Sequence, residues 1–147
     1  MGKKGSYDDY SYDENFNSLS ISKSKYPAVG KHLIIDLYDC NLEYLNDDYK
    51  ISEILSQCCL LSNSVEICKI IKQFKPQGLT AVLLLEESHI AIHTYPEHNI
   101  VFVDIFCCGD EGTPEKCIEY LKDTFKCERC YHNVLRRGYD EPQIAFQ

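Results

Sequence analysis

The stretch from Leu79 to Tyr95 limits what this chain can become more than any other part of it. Leu79 to Leu85 is a near-continuous apolar run, as expected of a buried strand, and Ile90 to Tyr95 alternates, with Ile90 and Ile92 on one face. Two such runs joined across the short polar break Glu86-Glu87-Ser88 read as a central hairpin. The period of two places His89, Ala91, His93 and Tyr95 on the face opposite Ile90, so imidazole and phenol groups line a surface that begins at Ser88.

The elements around this hairpin follow from their own patterns. Lys31 to Tyr38 predicts a first strand that ends in a polar turn through Asp39, Cys40 and Asn41. From Asp47 to about Leu61 the residues Ile51, Ile54, Leu55, Cys58 and Cys59 recur at spacings of three and four, the stripe of an amphipathic helix. Ser64 to Phe74 predicts a strand whose two faces are not cleanly distinguished, and Pro76-Gln77-Gly78 breaks the chain before the hairpin. Ile100 to Phe106 predicts another strand, Thr113-Pro114 a helix start with Ile118, Leu121 and Phe125 on its apolar stripe to about Lys126, and Arg129 to Leu135 a last strand. Consecutive strands joined by short turns run antiparallel, so the expected fold class is α+β: one largely antiparallel sheet with two helices packed on one face. Residues 1–28, rich in Ser, Tyr, Asp, Asn and Lys, read as a flexible tail, and 29–147 as one domain.

A formal charge of -8 argues against a nucleic-acid partner and against an anionic membrane surface, since both need a basic face. No apolar run approaches the roughly 20 residues of a spanning helix. A cytoplasmic protein with mostly reduced cysteines is therefore expected, and the odd count of 9 fits poorly with a disulfide framework. Cys127-x-x-Cys130 lacks the second ligand pair of a structural zinc site, so the expectation is no metal. Asp104, between Phe102 and Phe106 on one strand face, is either a paired, half-buried carboxylate or a group that orients the site. Ser88 with His93 is compatible with serine-histidine hydrolysis or with an inert hairpin carrying a core histidine; no Gly-x-Ser-x-Gly elbow accompanies it.

Leu85 to Glu97, together with Val103-Asp104-Ile105-Phe106-Cys107-Cys108-Gly109, resembles the prokaryotic-type S-adenosylmethionine decarboxylases, a family of pyruvoyl-dependent enzymes of polyamine synthesis. The likeness runs from about Gly30 to Tyr139, and Glu-Ser-His-x-x-x-His-Thr is its specific core. It implies an α/β sandwich of homodimerising, processed protomers. It further implies a proenzyme that cuts itself between Glu87 and Ser88, leaving Ser88 as a pyruvoyl group that forms a Schiff base with S-adenosylmethionine, with no external cofactor. By the same resemblance His93 is the proton acceptor in processing, Thr80 an assisting hydroxyl and Cys108 the proton donor in turnover, while Phe74, Tyr95 and Glu97 bind substrate. Tyr95 stands where the family commonly has tryptophan and Cys107 where it commonly has threonine. The alternatives are the same chemistry on ornithine or arginine, and a non-catalytic regulatory subunit.

Overall fold

Six strands and two helices are arranged in the order β1 (Gly30–Tyr38), α1 (Asp48–Leu61), β2 (Glu66–Gln73), β3 (Leu79–Leu85), β4 (His89–Tyr95), β5 (Ile100–Cys108), α2 (Cys117–Phe125) and β6 (Arg129–Arg137). The structure, a computed structural model, describes residues 28–138, so the tail read from the sequence lies outside the described residues except for Ala28. The sheet order is β2-β3-β4-β5-β1-β6 and every neighbouring pair is antiparallel. This is the α+β architecture that the patterns predict.

The period of two divides the sheet into faces of different chemistry. Leu33, Ile35 and Leu37 of β1, Leu79, Ala81, Leu83 and Leu85 of β3, Ile90 and Ile92 of β4, and Val101, Val103, Ile105 and Cys107 of β5 are all buried. They meet Ile51, Ile54, Leu55, Cys58 and Cys59 of α1 and Cys117, Leu121 and Phe125 of α2, the helix residues whose spacing of three or four makes a single stripe. Both helices therefore cover one face. Asp47 starts α1 by accepting the Lys50 N–H at 2.9 Å, and Lys126, in the left-handed region at φ 48, stops α2. The one buried polar side chain of the described strands, Thr94, is fully satisfied: its hydroxyl donates to the Leu45 carbonyl at 2.7 Å and accepts from the Leu79 N–H at 3.0 Å.

The bounds of four elements differ from the sequence reading. The strand expected over Ser64 to Phe74 is shorter, carries an irregularity between Glu66 and Cys68, and sits at the sheet edge, mostly exposed. An edge strand has a neighbour on one side only, so both of its faces are wetter than those of a central strand and its pattern blurs. The second helix begins at Cys117 because Pro114–Lys116 form a separate 3-10 turn. Finally, β5 runs on through Cys108 and β6 through Arg137, since Gly30 of β1 pairs with both. Gly30 is required there: a Cβ would lie 2.6 Å from the Cys107 carbonyl oxygen and 2.8 Å from the Phe106 ring.

Candidate active site

The continuation of β5 decides where the two adjacent thiols go. Alternation persists to the strand's end, so Cys107 is buried under the helices while Cys108 is half-exposed on the face they leave open. Burial pushes the Cys107 thiol up from its ordinary pKa, which keeps it neutral and inert. Cys108 instead donates to the carbonyl oxygen of Glu87 at 2.8 Å. Glu86 and Glu87 form the two-residue tip of the β3–β4 hairpin, closed by Leu85 N–H to the Ser88 carbonyl at 3.0 Å, so the Glu87–Ser88 peptide bond sits where the chain turns into β4. The Ser88 hydroxyl donates to the Phe106 carbonyl. A cavity of about 480 Å³ opens beside this peptide bond, with Ser64, Glu87, Ser88, Cys107 and Cys108 in its wall.

His93, Thr80, Tyr95, Glu97 and Phe74 occupy the other end of the same open face. The register pairs His93 with Thr80, whose hydroxyl lies 2.9 Å from His93 Nδ1. On the other side His93 pairs with Phe102, and the Phe102 ring packs on Tyr95 at 5.4 Å between centroids. Gln77 Nε2 donates to Glu97 at 3.4 Å. Five residues of extended chain separate Ser88 from His93, roughly 16 Å at about 3.3 Å per residue. Within one protomer the strand thus carries His93 away from Ser88.

At the hairpin end of the same face lies a cluster built on Phe106, which the register sets opposite His89 and His32. His32 and His89 pack their rings on it at 5.7 and 6.2 Å, and the Arg137 guanidinium lies 4.8 Å from its centre. His32 Nε2 is buried without a hydrogen-bond partner and stands 3.7 Å from Asp104 Oδ1. Burial lowers the His32 pKa, against the pull of Asp104. Of the two roles read for Asp104, its position supports that of a half-buried carboxylate paired with His32. Cys127 and Cys130 are half-buried, with both thiols pushed up by burial. Phe102 escaped the sequence reading as a site residue, although the alternation that put Asp104 and Phe106 on one face puts Phe102 there too.

An antiparallel sheet with helices on one face, a serine at a hairpin tip and a cysteine on the carbonyl that precedes that serine define a small α+β scaffold with a hydroxyl and a thiol beside one peptide bond. The profile of the S-adenosylmethionine decarboxylase family matches residues 31–138. An S-adenosylmethionine decarboxylase proenzyme of Moorella thermoacetica is 37% identical over 120 residues, 80% of this chain and 94% of that protein. One of Synechococcus is 41% identical over 98 residues, 67% of this chain and 77% of that one. The crystal structure of the adenosylmethionine decarboxylase from Aquifex aeolicus superposes with a TM-score of 0.70 at 31% identity, covering 82% of this chain and 99% of the other. The chain belongs to the S-adenosylmethionine decarboxylase family.

Proposed function

We propose that this chain is a self-processing decarboxylase that removes the carboxylate of S-adenosylmethionine, and that two copies complete each active site. The observation that carries the reading is the Cys108 thiol on the Glu87 carbonyl oxygen, next to the only serine at the hairpin tip. That thiol polarises the one carbonyl that the Ser88 hydroxyl must attack. As the Ser88 Oγ–carbon bond forms, the hydroxyl proton passes to the amide nitrogen, the Glu87–Ser88 C–N bond breaks, and an ester replaces the amide. Negative charge that gathers on the Glu87 oxygen during attack is met by the S–H donor. The Phe106 carbonyl, by accepting from Ser88, holds the hydroxyl in place beforehand.

Completing the cut requires a base to take the Ser88 α-proton while the Cβ–Oγ bond breaks, releasing Glu87 as a carboxylate. Water then displaces ammonia from the dehydrated residue 88, leaving a pyruvoyl end and a second chain of residues 1–87. His93 is the base in this reading, with the Thr80 hydroxyl engaging its Nδ1 and leaving Nε2 to take the proton. Since its own Ser88 is about 16 Å away, the Ser88 it serves belongs to a second copy. The open face supports such pairing: Ile34, Ile70, Val82, Leu84 and Tyr131 are exposed on it, with exposures of 38%, 70%, 37%, 48% and 60%. Two copies laid face to face about a two-fold axis bring the Ser88 end of each against the His93 end of the other.

The residues present fit a pyruvoyl group at position 88. When formed, its carbonyl supplies the electron sink that lets an α-amino acid lose carbon dioxide. Cys108, half-exposed at that position, returns a proton to the substrate α-carbon, and the Phe74, Tyr95 and Glu97 end of the second copy holds the nucleoside. Intact-mass measurement of the purified protein tests the reading: two chains divided between Glu87 and Ser88 support it, and one uncut chain after prolonged incubation sinks it. Carbon dioxide release assayed with S-adenosylmethionine, ornithine and arginine tests the substrate, and release from a free basic amino acid alone would replace the first with the second.

A further inference from the structure

On the open face one row of the sheet has a side chain missing. Gly78 has φ +87, its carbonyl accepts the Phe74 N–H at 2.8 Å, and a Cβ on it would lie 3.0 Å from the Thr94 carbonyl oxygen and 3.4 Å from Pro96 Cδ. It therefore stands beside β4 opposite Tyr95, with Phe74 on its other side. The backbones of Phe74 and Tyr95 thus stand two interstrand spacings apart, about 9.6 Å, with a glycine between them. The two residues are 48% and 38% exposed. Two exposed aromatic residues flanking a glycine offer room for one flat heterocycle.

A half-exposed tyrosine beside a glycine gains no side-chain contact from that position. On the opposite flank it has Phe102. The register pairs Phe102 with His93, and its ring reaches the diagonal neighbour Tyr95, where the two meet at 5.4 Å and 59°. A tilted contact of this kind sets an aromatic edge against an aromatic face and fixes the second ring's direction. Phe102 is itself half-buried on β5, so its position comes from the sheet and not from any ligand.

We propose that Phe102 is a positioning residue for the substrate's adenine: it braces Tyr95 from behind, so that the Tyr95 face toward Phe74 stays open for the base to stack. This rests on the reading of the chain as an S-adenosylmethionine decarboxylase. It explains how a tyrosine, smaller than tryptophan, serves at position 95: the second ring supplies the rigidity that one larger ring would supply alone. Phe102 makes its ring contact with Tyr95, so its effect in turnover falls on binding of the nucleoside.

The test compares processed wild type with Phe102→Ala, Phe102→Leu and Phe102→Tyr. Two constants are measured: KM for S-adenosylmethionine, and the inhibition constant of 5′-methylthioadenosine, which presents adenine and ribose without the amino acid. Phe102→Ala is expected to raise both by about 2- to 12-fold, the range of a lost aromatic pair, with kcat changed by less than about twofold. Phe102→Tyr, which keeps the ring, restores both constants, whereas Phe102→Leu, which keeps bulk without an aromatic edge, does not. An unchanged inhibition constant in Phe102→Ala, or a leucine variant equal to wild type, overturns the proposal. Should the alanine variant fail to fold or to process, the leucine and tyrosine variants decide it alone. A wild type that is never cut, or that releases no carbon dioxide from S-adenosylmethionine, brings down the decarboxylase reading itself. A cut and active wild type whose inhibition constant ignores Phe102 brings down only this inference.

Discussion

The two ends of the open sheet face differ in what they bring together. At the hairpin end a hydroxyl and a thiol meet backbone carbonyls: Ser88 on the Phe106 carbonyl, Cys108 2.8 Å from the Glu87 carbonyl oxygen. At the far end side chains meet side chains: Thr80 on His93 at 2.9 Å, Tyr95 on Phe102, Gln77 on Glu97. A strand between them holds the two sets apart by its length. The lesson is that residues five apart on one extended strand do not meet. On the reading proposed above, a second copy brings the two ends together.

Breaking the hairpin end has the largest expected effect. Ser88→Ala removes the only hydroxyl that can attack the Glu87 carbonyl, and the purified variant should remain one chain by intact mass; any cut between residues 87 and 88 would contradict the assignment. Cys108→Ala comes next. Loss of a general acid typically lowers turnover by about 10²- to 10⁴-fold, and the contact with Glu87 adds a second loss, since cleavage itself should slow when the carbonyl is no longer polarised. Cleavage at the wild-type rate would show that the thiol acts in turnover alone. Cys107→Ala, on the covered face, should leave turnover within about twofold of wild type, because the strand points that thiol away from the site.

The far end answers more gently. Thr80→Val keeps the shape of the side chain and deletes the hydrogen bond to His93 Nδ1. A bond of that kind contributes about 1 kcal/mol, so processing followed by gel or mass should slow by about fivefold, and an unchanged rate would free His93 from its supposed partner. Smallest is the effect of the His32 cluster around Phe106. Burial depresses the His32 pKa below its ordinary 6.5, so protonation is less favourable in the folded state than in the unfolded one. The stability this residue leaves intact above pH 6.5 is lost as pH falls below it. Denaturant midpoints measured from pH 7.5 down to 5 should decline for wild type more steeply than for His32→Gln, and identical slopes would remove His32 from the account.

Most of the sheet was legible because its strands follow the simplest rule available to a chain, alternation against a covered face. Ile90 and Ile92 against His89 and His93, or Val101 to Cys107 against Phe102 to Cys108, could be assigned to faces from residue type alone. What was not legible was set by neighbours remote in sequence. The last residues of β5 and β6 are ordered by pairing with Gly30, and nothing near Cys108 or Arg137 announces it. The edge strand β2 reads ambiguously because the sheet ends there. The separation of Ser88 from His93 could have been counted from the strand rise, but recognition of both as parts of one site hid the arithmetic. The brace on Tyr95 needed a register between β4 and β5, which a sequence does not supply.

Whether two copies share each site is settled by mixing two inactive chains. Ser88→Ala retains His93 but has no nucleophile, and His93→Ala retains Ser88 but lacks the base. Differently tagged versions of the two are co-expressed, the mixed species is isolated through both tags, and intact mass is recorded for each chain. The account predicts that the His93→Ala chain, uncut or slowly cut on its own, is cleaved between Glu87 and Ser88 when its partner is Ser88→Ala, and that the mixed species releases carbon dioxide from S-adenosylmethionine. A mixed species in which the His93→Ala chain stays as uncut as it is alone would contradict the shared site.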